Sequence, residues 1–163
     1  MVQECRGSYD GAGFRFAIVA AQFNEPVSAG LLNGARAALA EACVREEDLT
    51  IVYVPGAFEI PLAALRLAET GRYAAVICLG CVVKGETAHF EHISSAMSMG
   101  IMDVAVATGV PVTFGVLTTL TEAQAVARAA EGPWNKGREA ARAAVRMATL
   151  MTQIEGGDDE APA

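Results

Sequence analysis

Ala74-Ala75-Val76-Ile77-Cys78-Leu79-Gly80-Cys81-Val82-Val83 runs without a charge into Lys84-Gly85-Glu86-Thr87-Ala88-His89-Phe90-Glu91-His92. The apolar run reads as a strand covered on both faces, and helical spacing begins directly after it. A strand that feeds a helix N-terminus is the repeating unit of a parallel sheet. Open α/β sheets place their chemistry at such junctions. The helix start offers unpaired backbone N–H groups to an anion. Thr87 adds a hydroxyl, and His89 adds an imidazole, the side chain whose ordinary pKa lies near neutrality. Both histidines of the chain lie in this segment. It points to an anion pocket beside a proton-transfer group.

The same alternation extends outward from this stretch. Phe14 to Ala21 reads as a first strand, with Asn24 as the N-cap of the next helix and Pro26 in its first turn. Val27, Leu31, Ala35, Ala38, Leu39 and Ala42 then follow helical spacing. Leu49 to Val54 is a second strand, and Pro55-Gly56 turns the chain into a helix ending near Thr70. The quoted stretch supplies the third strand and a helix from about Ala88 to Thr108, stopped by Gly109. Pro111 to Thr118 is a fourth strand. Thr121 to Ala130 and Asn135 to about Ile154 are closing helices, broken at Gly132-Pro133. Strands alternating with helices predict an α/β fold, a three-layer αβα sandwich with a central parallel four-stranded sheet, flavodoxin-like. The expected organisation is one domain over residues 1–163. A loop-like arm over 1–13 precedes it, and a mobile acidic tail over 156–163 closes it.

Composition narrows the function. The chain has 163 residues, 53% hydrophobic and 19% charged, with a net charge of −7. These values describe a globular protein with a sizeable core. There is no basic patch for nucleic acid, and no apolar run reaches the ~18 residues of a membrane span. The first residues lack the pattern of a secretion signal, so a cytoplasmic setting is expected. Cys78 and Cys81 have C-x-x-C spacing, but on a strand an offset of three turns them to opposite faces. They read as buried cysteines rather than a redox or metal pair. The helix after Ala88 carries one apolar face through Ile93, Met97, Ile101 and Val104, and another through Ala96, Met99, Met102 and Val106. A helix apolar on two sides is buried on two sides. The second is read as a subunit contact, against the alternative of a thoroughly covered core helix.

Several residues could carry chemistry. His89 sits in the first helical turn, where it is either a proton-transfer group or a capping or surface histidine. His92 lies on the same helix face, but a metal would need further ligands, and none is expected. Val54-Pro55-Gly56-Ala57-Phe58-Glu59-Ile60-Pro61 is a second strand-to-helix junction. There Glu59 either complements the helix dipole or accepts hydrogen bonds from a polyol or amine. Phe23 ends the first strand and either packs in the core or stacks on a planar ring. Arg128 is either a solvated helix residue or a phosphate ligand. Arg138, Arg142 and Arg146 read as a solvated stripe. The glycine-rich loops that hold nucleotide phosphates are missing from the sequence.

Taken together, the junctions resemble the 6,7-dimethyl-8-ribityllumazine synthase family over roughly Phe16 to Ile154. The matching segments are Phe23-Asn24, Val54 to Pro61, Gly80 to Phe90, Pro111 to Thr119, Gln124 to Ala129 and Asn135 to Ala141. Each is short, and their order makes them specific. The resemblance implies condensation of 5-amino-6-(D-ribitylamino)uracil with 3,4-dihydroxy-2-butanone 4-phosphate, giving the lumazine, phosphate and water, with no cofactor. It implies that Phe23 stacks on the pyrimidine and that Ala57, Phe58 and Glu59 hold the ribityl chain. Cys81, Val82 and Val83 would line the ring edge, largely through backbone. Glu86, Thr87 and Arg128 would meet the phosphate, and His89 would move protons. Phe114 would come from a neighbouring subunit.

The resemblance also implies small-molecule substrates and a homopentamer with sites at subunit interfaces. Some members build twelve pentamers into a hollow 60-mer shell, and riboflavin synthase is a candidate partner. The chain departs from a common family pattern at Ala129-Ala130-Glu131-Gly132-Pro133-Trp134, where a Gly-rich, Lys-containing turn is usual. That turn bears on pentamer packing, so the shell is left open while the site is unaffected. Two other classes compete with the synthase. One is a flavin- or pterin-binding module, which would need neither His89 nor Arg128. The other is a shell or storage scaffold with a vestigial site. Within the enzyme class, a homologous riboflavin-forming enzyme is the remaining alternative.

Overall fold

The computed structural model describes residues 1–156. Its elements are β1 (Phe16–Ala21), α1 (Glu25–Glu41), β2 (Leu49–Val54), α2 (Ile60–Glu69), β3 (Ala75–Val83), α3 (His89–Thr108), β4 (Val112–Thr119), α4 (Glu122–Ala129) and α5 (Lys136–Gly156). The four strands form one parallel sheet in the order β2-β1-β3-β4. The chain steps from β1 to β2 on one side, then crosses back to β3 on the other. That reversal leaves a crevice beyond the C-terminal ends of β1 and β3, where doubly wound sheets bind ligands.

Two apolar clusters cover the sheet, and strand alternation assigns residues between them. Phe16, Ile18 and Ala20 pack with α1, α4 and α5, joined by Ile77, Leu79 and Cys81. Ala17, Val19 and Ala21 pack with α2 and α3, joined by Val76 and Cys78. The two cysteines therefore do face opposite layers. The sandwich matches the fold expected from the sequence, and most element ends agree within two residues.

Three local readings need correction, and a fourth, the cap of α1, holds with a different side-chain partner. Asn24 is the cap residue of α1, but its side chain makes no cap bond. Its Nδ2 donates instead to the carbonyl of Cys81, 3.0 Å away on β3. Pro55-Gly56 leads first into a 3-10 turn, Ala57–Glu59, and only then into α2. The arginines of α5 are not simply solvated. Arg138 forks onto both carboxylate oxygens of Glu41 on α1, and Arg142 stacks 4.1 Å from the Tyr9 ring centroid. Finally, Gly156 closes α5, and the rest of the expected acidic tail, 157–163, lies outside the described residues.

The arm over 1–13 has no regular structure but is tied down. Arg6 N–H donates to Gln153 Oε1 and Gln153 Nε2 returns a bond to Arg6 O, at 3.0 and 2.8 Å. One helical turn earlier, Thr149 Oγ1 accepts from Ser8 N–H at 2.9 Å. Two polar side chains on α5 thus satisfy an irregular backbone that has no strand partner.

Candidate active site

Three strand ends build the crevice. β1 delivers Phe23, held by bonds from Gln22 N–H to Val54 O and Phe23 N–H to Pro55 O, at 2.8 and 3.0 Å. β2 delivers the Pro55–Glu59 turn. There Glu59 Oε2 accepts from Gly56 N–H at 3.0 Å, so one carboxylate oxygen closes the turn. Oε1 has no hydrogen bond among the described residues. β3 delivers Cys81, Val82 and Val83. β1 pairs with β3 only as far as Ala20 with Leu79, whereas β4 pairs with β3 through Val83. The β1-facing flank of Cys81–Val83 therefore has no strand partner. Asn24 Nδ2 donates to the Cys81 carbonyl there, and the stretch forms a wall of backbone and short side chains.

These parts enclose a cavity of about 560 Å³, lined by Phe23, Pro55–Glu59, Cys81–Val83, Gly85, Thr87, His89, Phe90 and Ile93. That volume suits a single small heterocycle and its substituents. Phe23 is 70% and Phe58 59% exposed. Two aromatic faces left to solvent at a cavity mouth are positioned to contact a ligand rather than to fill a core.

The loop into α3 is short and locally braced. Thr87 Oγ1 accepts from His89 N–H at 3.4 Å. Lys84 Nζ and Glu91 Oε1, 3.3 Å apart, bridge the two ends of the loop. Bonding to its own backbone N–H holds the Glu91 carboxyl below its ordinary range, and Lys84 adds to this. His89 is exposed at the first turn of α3, with its ring free to reach a ligand. Burial pushes the Cys81 thiol up to about 11 and raises Cys78 further. Neither is a thiolate at neutral pH, so nucleophilic sulfur chemistry is not available here.

The structure brings together most of the residues singled out from the sequence: Phe23, Ala57, Phe58, Glu59, Cys81, Val82, Val83, Thr87 and His89 line one cavity. Glu86 is exposed on the same loop but does not line it. Phe114 and Arg128 are elsewhere. They line a separate cleft of about 350 Å³ along β4 and α5, together with Lys136 and Glu139. Phe114 pairs with Cys78, below the cavity wall. Arg128 is on α4, which packs on the sheet face opposite α3. One copy of the chain does not unite His89 with Arg128. Among residues the sequence reading passed over, Lys136 stands in the second cleft, its Nζ 2.6 Å from Glu139 Oε2. A cation in the segment that opens α5 was the available signal. Among the described residues, no three metal-ligating side chains cluster, and no helix is long and apolar enough to cross a membrane.

The sequence profile described as 6,7-dimethyl-8-ribityllumazine synthase matches residues 13–152. The chain is 52% identical over 144 residues to the 6,7-dimethyl-8-ribityllumazine synthase of Salinibacter ruber, covering 88% of this chain and 92% of that protein. It is also 52% identical over 140 residues to 6,7-dimethyl-8-ribityllumazine synthase 1 of Caulobacter vibrioides, covering 86% and 92%. With the strand-end cavity intact and the match spanning nearly all of both chains, the protein belongs to the 6,7-dimethyl-8-ribityllumazine synthase family, transferases of riboflavin biosynthesis.

Proposed function

We propose that the protein condenses 5-amino-6-(D-ribitylamino)uracil with 3,4-dihydroxy-2-butanone 4-phosphate. The observation that carries this reading is the cavity at the sheet's reversal point, which pairs an open aromatic ring with an imidazole across a backbone wall. Phe23 stacks on the pyrimidine, and the wall of Cys81–Val83 meets its edge. Ala57, Phe58 and the free oxygen of Glu59 hold the ribityl hydroxyls. Thr87, with Glu86 on the same loop, stands at the phosphate end.

The amine adds to the ketone and loses water to form an imine. Proton removal then expels the phosphate, and attack by the second amine closes the ring with loss of another water. Each stage moves a proton, and His89 at the cavity rim serves them in turn. Arg128 stabilises the departing phosphate as its charge grows. Holding two intrinsically reactive molecules together supplies much of the acceleration.

Arg128 and Phe114 reach this cavity from a second copy of the chain, in a ring of five. The support is their position. Both are turned to a cleft at the β4 edge, away from their own His89. On α3, Met99, Met102 and Val106 are 64%, 63% and 78% exposed in the single chain. That is a row of large apolar groups on one helix face that calls for a cover.

The test mixes the purified protein with both substrates and follows lumazine formation against the uncatalysed rate. Acceleration is expected. None from a folded oligomer would overturn the reading and favour a flavin-binding or scaffold role.

A further inference from the structure

Phe23 is 70% exposed, so packing does not hold its ring in place. Its backbone is held instead, and the last fastening is unusual. After the bonds to Val54 O and Pro55 O, Asn24 takes φ 60° and ψ 48°. This left-handed conformation is uncommon for a residue with a Cβ and is best tolerated by Asn and Asp. Asn24 O then opens α1, accepting from Val27 N–H and Ser28 N–H at 3.0 and 3.1 Å. A cap residue ordinarily turns its side chain to the same helix. Asn24 does not, and its Nδ2 spans to Cys81 O at 3.0 Å. It meets β3 where β1 has already left the sheet, since the last β1–β3 pair is Ala20 with Leu79. The side-chain amide thus supplies the strand-like donor that the departing backbone no longer offers.

We infer that Asn24 is a positioning residue for Phe23: its amide ties the turn carrying the ring to the Cys81 carbonyl and fixes the gap between ring and backbone wall. The inference rests on the reading that Phe23 stacks on the pyrimidine substrate across from that wall. It gives Asn24 no contact with the reacting atoms. It also removes the Cys81 carbonyl from the acceptors open to a ligand, leaving recognition of the ring edge to the other backbone groups of the wall.

Two variants separate the hydrogen bond from the backbone requirement. Asn24→Asp keeps the side-chain shape and tolerates the left-handed conformation but has no amide donor. Asn24→Gly tolerates the conformation without adding charge. In both, KM for the ribitylaminouracil should rise about fivefold, the equivalent of one modest hydrogen bond. kcat and KM for the butanone phosphate should hold within about twofold. An unchanged KM for the pyrimidine in both variants overturns the inference, as does a parallel rise for both substrates. A second readout does not depend on catalysis. Hydrogen exchange at the Phe23 amide should speed up about tenfold in both variants, while α5 amides stay as in wild type. Unchanged exchange overturns the inference whether or not the wild type is active. Inactive wild type with faster exchange in the variants overturns only the functional reading and leaves the tether standing.

Discussion

In the proposed reaction the residue chemistry turns on His89, the one imidazole lining the cavity. His89→Ala should lower kcat by about 100-fold, because proton transfer is lost while placement of the two substrates remains. Lumazine formation at the uncatalysed rate by a folded, assembled variant would contradict that division. The cysteines test a different property. Cys78 is fully buried and Cys81 is 2% exposed, and burial holds both as thiols. Iodoacetamide at pH 8 should label the exposed Cys5 and Cys43 and spare Cys78 and Cys81. A raised folded pKa means that the unfolded chain releases its proton first. Stability is therefore complete below the ordinary 9.0 and falls as pH rises toward about 11 for Cys81. Chemical denaturation at pH 8 and pH 10.5 should show that loss, and Cys81→Ser should reduce it.

How residues join elements decides what could be read in advance. The strands and α3 were legible because a charge-free run and a 3.6-residue pattern each carry their own period. The meeting of His89 and Phe23 in one cavity was legible because both follow strand ends, where the crevice of a doubly wound sheet lies. Asn24 caps α1 as expected, but the partner of its side chain is 57 residues away, and no local rule spans that distance. Asn135 shows the same limit. It was read as the start of α5, and its Oδ1 does accept from Arg138 N–H at 3.0 Å. Yet its Nδ2 also donates to Gly30 O, Ala129 O and Ala130 O at 3.0, 2.8 and 3.1 Å, in a site only 2% exposed. One amide thus joins α1, the end of α4 and α5. Asn135→Asp keeps the cap and replaces the donor with an acceptor facing three carbonyls. It should cost about 3 kcal/mol or more, well beyond the loss of a cap. Thermal unfolding checks this, and a Tm within a few degrees of wild type would refute the junction's importance.

At the scale of the whole molecule, the separation of His89 from Arg128 matters most. Neither cleft in the single chain holds both groups, and one face of α3 is left uncovered. If adjacent copies complete each other's cavities, two crippled variants should repair one another. His89→Ala damages the side that offers the imidazole. Arg128→Ala would damage the side proposed to grip phosphate, and alone it should chiefly raise KM for the butanone phosphate. In a ring assembled from equal amounts of both, an interface between an Arg128→Ala copy and a His89→Ala copy, in the right order, has both groups intact. Random mixing makes about a quarter of the interfaces of that kind. Co-expressed variants assayed at low butanone phosphate should then recover about a quarter of wild-type activity, far above the average of the two separate proteins. Mixing after separate assembly should give only that average, because closed rings do not exchange copies readily. Equal activity under both protocols would mean that His89 and Arg128 do not act at one shared site. The chain would then have to bring phosphate to His89 with groups of its own, and Thr87 and the N–H groups opening α3 are the ones within reach.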